Sequence, residues 1–281
     1  MAENYAMGAV KSNVDVRNYQ LTKTSINALN FPKEFALPMP EAKSQGSVCS
    51  CVAHAASTVV EYFNMTQVND SSRMSTGFIY GNRDTLMIPY QKGMTLFGAL
   101  EALRHDGDVK YDDFPHNVEM PQAQELFKQY YPALKDKAQA HCITGYYFCP
   151  TKEAVKAALM KDGPVMIAVP WRSDIHLKDD GYTFDTEQKL FDITGGHCMV
   201  IYGWNEEGWL VQNSWGKSWG RDGRCLIPYK IRLSEAWGVI DTNINNRTDI
   251  KKPFSSELGN AIAKIINAIA NAIVNLFKKK Q

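Results

Sequence analysis

Val211-Gln-Asn213-Ser-Trp215-Gly216-Lys-Ser-Trp219-Gly220 is the most telling stretch of this chain of 281 residues. It opens as the end of an apolar strand, Trp209 to Gln212, and breaks into a turn punctuated by glycine and tryptophan. Just upstream, Cys198 to Trp204 reads as a second strand, and Asn205-Glu-Glu-Gly208 between the two has the composition of a hairpin turn. His197 directly precedes the first arm and Asn213 directly follows the second.

Outward from the hairpin the signal stays strand-like toward the C-terminus. Val165 to Val169 is a short buried apolar run, and Arg224 to Tyr229 and Trp237 to Ile240 add further short strands. Toward the N-terminus it turns helical. Cys51 to Phe63 places Ala55, Ala56, Val59, Val60 and Phe63 on one face, with Ser50 at the N-cap position. A second helix is expected from Thr95 to His105, stopping at Gly107. A third opens at Pro121 and ends before Pro132, and a fourth runs from Thr151 to Lys161 up to Gly163-Pro164. Helices first and strands after make an α+β pattern with two lobes.

Hydrolysis of a peptide by a thiol needs a stabilised thiolate, a base and donors for the oxyanion. Cys51 begins a helix, where unpaired N–H groups present partial positive charge. Gln45, six residues earlier, can supply a side-chain amide.

Three segments carry a family resemblance. Gln45-Gly-Ser-Val-Cys-Ser-Cys51-Val-Ala resembles the nucleophile segment of papain-like cysteine peptidases. Gly195-Gly-His197-Cys-Met-Val-Ile-Tyr-Gly203-Trp resembles their histidine strand, and the Asn213 stretch resembles their asparagine segment. The order matches the family's cysteine-then-histidine-then-asparagine arrangement. The resemblance covers roughly residues 31–242 and implies a papain-like α+β fold of two lobes, helical first and β-barrel-like second. It implies that Cys51 is the nucleophile, His197 the base, Asn213 its orienter, and Gln45 with the Cys51 N–H the oxyanion hole. Trp215 is then the indole covering the His197–Asn213 bond, and Gly93 the cleft-edge glycine. Ala168, Gly196 and Cys198 fall near the pocket for the residue two before the cleaved bond. These are small and uncharged, which implies an apolar side chain there. The implied substrate is a peptide or protein, cut through a thioester acyl-enzyme. The family's Cys-Gly-Ser-Cys-Trp stands here as Val48-Cys49-Ser50-Cys51-Val52, so its usual structural disulfide from the first position cannot form.

Other chemistries fare worse. A net charge of +1 is no basis for a nucleic-acid binder. The six cysteines, 49, 51, 142, 149, 198 and 225, include no C-x-x-C pair and suggest neither a metal site nor a disulfide framework; a Cys142–Cys149 bridge is one option. No metal or organic cofactor is expected. Cys49, a residue from Cys51, reads as a packed side chain or a redox partner, and His54, one turn on, as a helix residue. The start lacks a secretory signal, so a reducing, cytoplasmic setting is expected.

The two ends differ from the body. Residues 1–30 are polar and irregular, an extension that either has no role in the cleft or lies in it and blocks it. Residues 251–281 hold six Lys and one Glu. There Leu258, Ile262, Ile265, Ile266, Ile269, Ile273, Leu276 and Phe277 recur at helical spacing before Lys278-Lys-Lys280. This basic amphipathic tail could dock on its own domain, self-associate through residues 258–280 or lie on a membrane surface. The catalytic domain is then 31–250. Three alternatives to a peptidase stay open: an acyl transferase or peptide ligase on the same fold, a non-catalytic binding module, and a membrane- or partner-binding protein driven by its tail.

Overall fold

The computed structural model describes residues 6–12, 30–83, 92–171, 177–185 and 195–241. The tail expected to be an amphipathic helix lies outside them. The elements, in chain order, are β1 (Ala9–Val10), β2 (Phe35–Ala36), α1 (Cys51–Val68), α2 (Thr76–Gly81), β3 (Met94–Thr95) and α3 (Leu96–His105). There follow α4 (Gln122–Gln139), β4 (Gly145–Phe148), α5 (Lys152–Lys161), β5 (Val165–Trp171), β6 (Gly195–Trp204), β7 (Gly208–Gln212), β8 (Arg224–Pro228) and β9 (Glu235–Ile240).

Helix α1 is the axis of the first lobe. Every residue from Cys51 to Asn64 is buried, the polar His54, Glu61 and Asn64 among the apolar and small ones. It packs against Met94, Leu96, Leu100 and Leu103 on one side and Met166, Val200 and Trp237 on the other. It runs five residues beyond the expected Phe63, to a left-handed Asn69 whose N–H bonds to the Asn64 carbonyl. Ser50 does not cap it; its hydroxyl donates to Asn117 Oδ1 at 3.1 Å instead.

A buried ion pair ties α1 to the preceding loop. Lys43 Nζ lies 2.7 Å from Glu61 Oε1, both side chains almost wholly buried, and donates to Ser57 Oγ at 2.6 Å. Glu61 also accepts the Met74 N–H. Removing one partner strands the other charge without water. Glu61→Leu is therefore expected to cost about 3–5 kcal/mol in urea unfolding; a loss below about 1 kcal/mol would show that Lys43 finds another partner.

One helical expectation needs correction, and one helix was not expected. The third helix does not stop before Pro132 but carries it inside α4. Pro132 sits on the exposed side, and Ala123, Phe127, Leu134 and Ala138 bury the opposite face, so packing on both flanks offsets the broken turn. Helix α2, capped by the Ser75 hydroxyl on the Phe78 N–H, carries too short a pattern to be read from sequence. The Cys142–Cys149 bridge does not form; none of the six cysteines is in a disulfide.

In the second lobe β6 is central. It pairs antiparallel with β5 and β7, β7 continues to β8, and β5 continues through β9 to β4. The register sets Val169 opposite His197, and Ala168 opposite both Cys198 and Glu235. A core of Trp171, Trp204, Trp209, Val211, Met199 and Ile227 fills this lobe. The first residues of the chain are not wholly irregular. Strand β1 joins the sheet, antiparallel to β6 through Ala9 and Gly196 and parallel to β3.

Candidate active site

His197 and Asn213 sit at matching ends of the β6–β7 hairpin, and the antiparallel register brings them together. His197 Nε2 is 2.7 Å from Asn213 Oδ1. The Ser214 N–H also donates to that oxygen, at 2.7 Å, so the amide oxygen faces the ring and Nε2 carries the proton. Nδ1 is then the bare nitrogen, buried and without a hydrogen-bond partner in the protein. Trp215 lies over the imidazole at 4.9 Å between ring centroids. Trp171 packs beside it, 4.9 Å from the imidazole and 5.1 Å from the Trp215 ring. Burial holds the His197 pKa down to about 4, opposed by its bond to Asn213. The ring is neutral in this enclosed state.

Cys51 starts α1 and is fully buried. Its thiol is pushed up to about 11 by burial, against backbone donors from Cys198, Gly8, Val52 and Cys51 itself. Among those donors Gly8 is foreign to the catalytic elements: it belongs to the N-terminal strip, which crosses the nucleophile. A Cβ at Gly8 would stand 1.9 Å from the Cys49 carbonyl oxygen, so only glycine passes here.

The rest of the strip follows the cleft. Gln45 Nε2 donates to the Ala6 carbonyl at 2.8 Å and to the Val48 carbonyl at 2.9 Å. Its Oε1 accepts from Ser214 Oγ at 2.7 Å, which fixes the NH2 toward the cleft. The Met94 N–H donates to the Gly8 carbonyl at 2.8 Å. The neighbouring Gly93 is clamped from behind: Tyr80 Oη accepts its N–H at 3.0 Å and Arg83 Nη1 donates to its carbonyl at 2.5 Å. A Cβ at Gly93 would lie 2.4 Å from the Gly8 carbonyl oxygen. The strip ends its described course at Ser12, whose N–H and hydroxyl donate to the two oxygens of Glu235 at 2.7 and 2.6 Å.

Glu235 changes the pocket expected to be uncharged. It is 6% exposed, opposes Ala168 on the sheet, and otherwise takes a bond from Trp237 Nε1 at 2.9 Å. Ala168 pairs with Cys198 across β5 and β6, and the buried Glu235 carboxylate stands beside Ala168. Nothing in the local sequence marks it, because the neighbourhood arises only when β9 pairs with β5. Burial and the nearby Glu119 carboxylate push the Cys49 thiol up to about 11, and the Cys49 N–H donates to Glu119 at 3.0 Å. Among the described residues no group of three or more His, Cys, Asp or Glu converges as metal ligands would.

A helical lobe and a sheet lobe that set a cysteine at a helix N-terminus against the strand bearing a histidine–asparagine pair define the thiol-peptidase architecture. The family model for papain family cysteine proteases matches residues 32–236, and the chain belongs to that family. It is similar to an uncharacterized peptidase C1-like protein of Acanthamoeba polyphaga mimivirus, 26% identical over 74% of each chain. It is also 33% identical to cathepsin B-like protease 1 of Arabidopsis thaliana over 30% of this chain, a match spanning only 23% of that protein. Among solved structures it shares the fold of xylellain, a cysteine protease from Xylella fastidiosa, with a TM-score of 0.70 and 19% identity. That match covers 85% of this chain and 97% of the other.

Proposed function

We propose that this chain is a cysteine endopeptidase that works through Cys51, His197 and Asn213 and is held latent by its own residues 6–12. The observation that carries the reading is the Gln45 amide, donated at 2.8 Å to a peptide carbonyl in the cleft. The oxyanion donor is aimed at the kind of atom it would stabilise. With a substrate in place of the strip, His197 Nδ1 takes the Cys51 proton and the thiolate attacks the scissile carbonyl. The oxyanion is held by Gln45 Nε2 and the Cys51 N–H. The imidazolium then protonates the leaving amine, and water hydrolyses the thioester. Asn213 keeps the ring in the tautomer with Nδ1 free throughout.

The latent state follows from the same contacts. The strip excludes water from the thiol and imidazole, and burial favours both neutral forms over the ion pair. A transfer reaction differs only in what attacks the thioester. Product masses in the presence of a peptide amine decide between free acid, as expected, and amide.

Glu235 supports a finer reading. Its carboxylate is bonded by Ser12 while the strip is in place; a substrate that expels the strip must replace those donors or leave a charge unpaired. A lysine or arginine two residues before the cleaved bond does this. With the strip displaced, Glu235→Gln is expected to lower kcat/KM for an arginine peptide about 10- to 100-fold relative to its leucine analogue. A parent protein that already prefers the leucine peptide would contradict this.

A further inference from the structure

Behind the catalytic pair lies a small cavity of about 10 Å³, lined by Lys43, His54, Gln212, Asn213 and Ser214 among others. Three buried polar atoms on those residues have no hydrogen-bond partner in the protein: His54 Nε2, Gln212 Nε2 and Asn213 Nδ2. The orientation of each is fixed from elsewhere. Arg224 Nε donates to Gln212 Oε1 at 3.2 Å, leaving the Gln212 NH2 to the cavity. The His197 and Ser214 donors hold Asn213 Oδ1, leaving the Asn213 NH2 to the cavity. His54 Nδ1 lies 3.0 Å from the Ser50 carbonyl oxygen, a contact that requires Nδ1–H. Nε2 is then a bare acceptor, and burial with the nearby Lys43 charge keeps the ring neutral, with its pKa near 3.

Two donors and one acceptor around a space of this size fit one water molecule, which accepts twice and donates at least once. A chloride would leave the bare His54 nitrogen facing an anion. A cation would meet two amide NH2 groups.

We propose that His54, Gln212 and Asn213 hold a buried water, and that through it His54 is a positioning residue for the His197–Asn213 pair. The water's donation to His54 turns its lone pairs toward Asn213. The amide is thereby locked with NH2 in the cavity and oxygen on His197. A flipped amide would set its NH2 against both the His197 N–H and the Ser214 N–H. The chain of control runs from the Ser50 carbonyl, beside the nucleophile, through the His54 tautomer and the water to the catalytic ring. This rests on reading His197 and Asn213 as base and orienter. Its test needs no turnover, so it can fail while that reading stands.

The test compares the full-length protein with His54→Leu, which removes the acceptor, and His54→Gln, which can keep an amide oxygen at the same place. Two readouts apply: a high-resolution crystal structure for density bonded to Gln212 and Asn213, and proton NMR of the His197 Nε2–H and its solvent exchange. The expected result is a water in the parent and in His54→Gln with a slowly exchanging resonance. In His54→Leu the exchange is expected to be at least about tenfold faster, with thermal unfolding still cooperative. A parent cavity without water, or a His197 resonance equally protected in His54→Leu, overturns the proposal. If His54→Leu does not fold, the decision falls to the parent density and to His54→Gln, where loss of both water and protection also overturns it.

Discussion

Displacing residues 6–12 from the cleft raises the rates of Cys51 alkylation and of peptide hydrolysis by about 10- to 100-fold. That range corresponds to weakening the strip's hold by roughly 1–3 kcal/mol. The most economical way to do it is Gly8→Val. The Cβ would stand 1.9 Å from the Cys49 carbonyl oxygen, and the nearest atoms are all backbone, so the strip must move rather than the wall. Once Gly8 leaves, its carbonyl loses Met94 and the Ala6 carbonyl loses Gln45, each such bond contributing about 1 kcal/mol. The Ser12–Glu235 anchor is charge-assisted and holds on its own more strongly than either. Gly8→Val with Ser12→Ala is therefore expected to exceed Gly8→Val alone. Lys11→Ala, at an exposed position, is the control that leaves the rate unchanged. Initial rates with a fluorogenic peptide and with iodoacetamide read the effect. Equal rates in all variants would mean that the strip does not limit access.

In protein opened this way, loss of the nucleophile or base has the largest effect of all. Cys51→Ala reduces hydrolysis to background, and His197→Ala lowers kcat by about 10,000-fold. Because the two act in one proton transfer, Cys51→Ala with His197→Ala is no worse than either alone. Asn213→Ala leaves a ring free to turn and to change tautomer, and its loss falls below that of His197→Ala. Losses that multiplied, or a His197→Ala variant retaining a tenth of parental activity, would remove His197 from the role of base.

Much of this was legible in the sequence because chemistry confined to short local patterns survives without a structure. The Gln45–Cys51 segment, the His197 strand and the Asn213 turn each carry their meaning within a few residues, and the hairpin register then brings His197 and Asn213 together. The strands from Val165, Cys198 and Trp209 were read close to their true bounds, since their apolar runs end in glycine, asparagine or proline. What stayed hidden depends on pairing across the sheet or between lobes. Glu235 is one carboxylate among thirty acidic residues until β9 lies beside Ala168. Trp171 looks like the frayed end of a strand until it meets His197. Pro132 looks like a stop signal because sequence shows the missing N–H but not the packing on both sides of it. His54 looked like an ordinary helix residue. Its environment depends on Gln212 and Asn213, more than 150 positions away. The strip was foreseen only as one of two options, since residues 6–12 carry no strand pattern and gain one by pairing with β3 and β6.

Cys51 is, on this reading, an activatable nucleophile beneath a removable strip. Incubation of reduced full-length protein, Gly8→Val and Gly8→Val with His197→Ala with an epoxysuccinyl peptide probe, followed by adduct mapping by mass spectrometry, tests it most directly. Cys51 is expected to label slowly in the parent, about 10- to 100-fold faster and with no other thiol labelled in Gly8→Val, and not at all once His197 is removed. Labelling spread over Cys49 and the other thiols, or a Cys51 that stays silent after the strip is displaced, would contradict it.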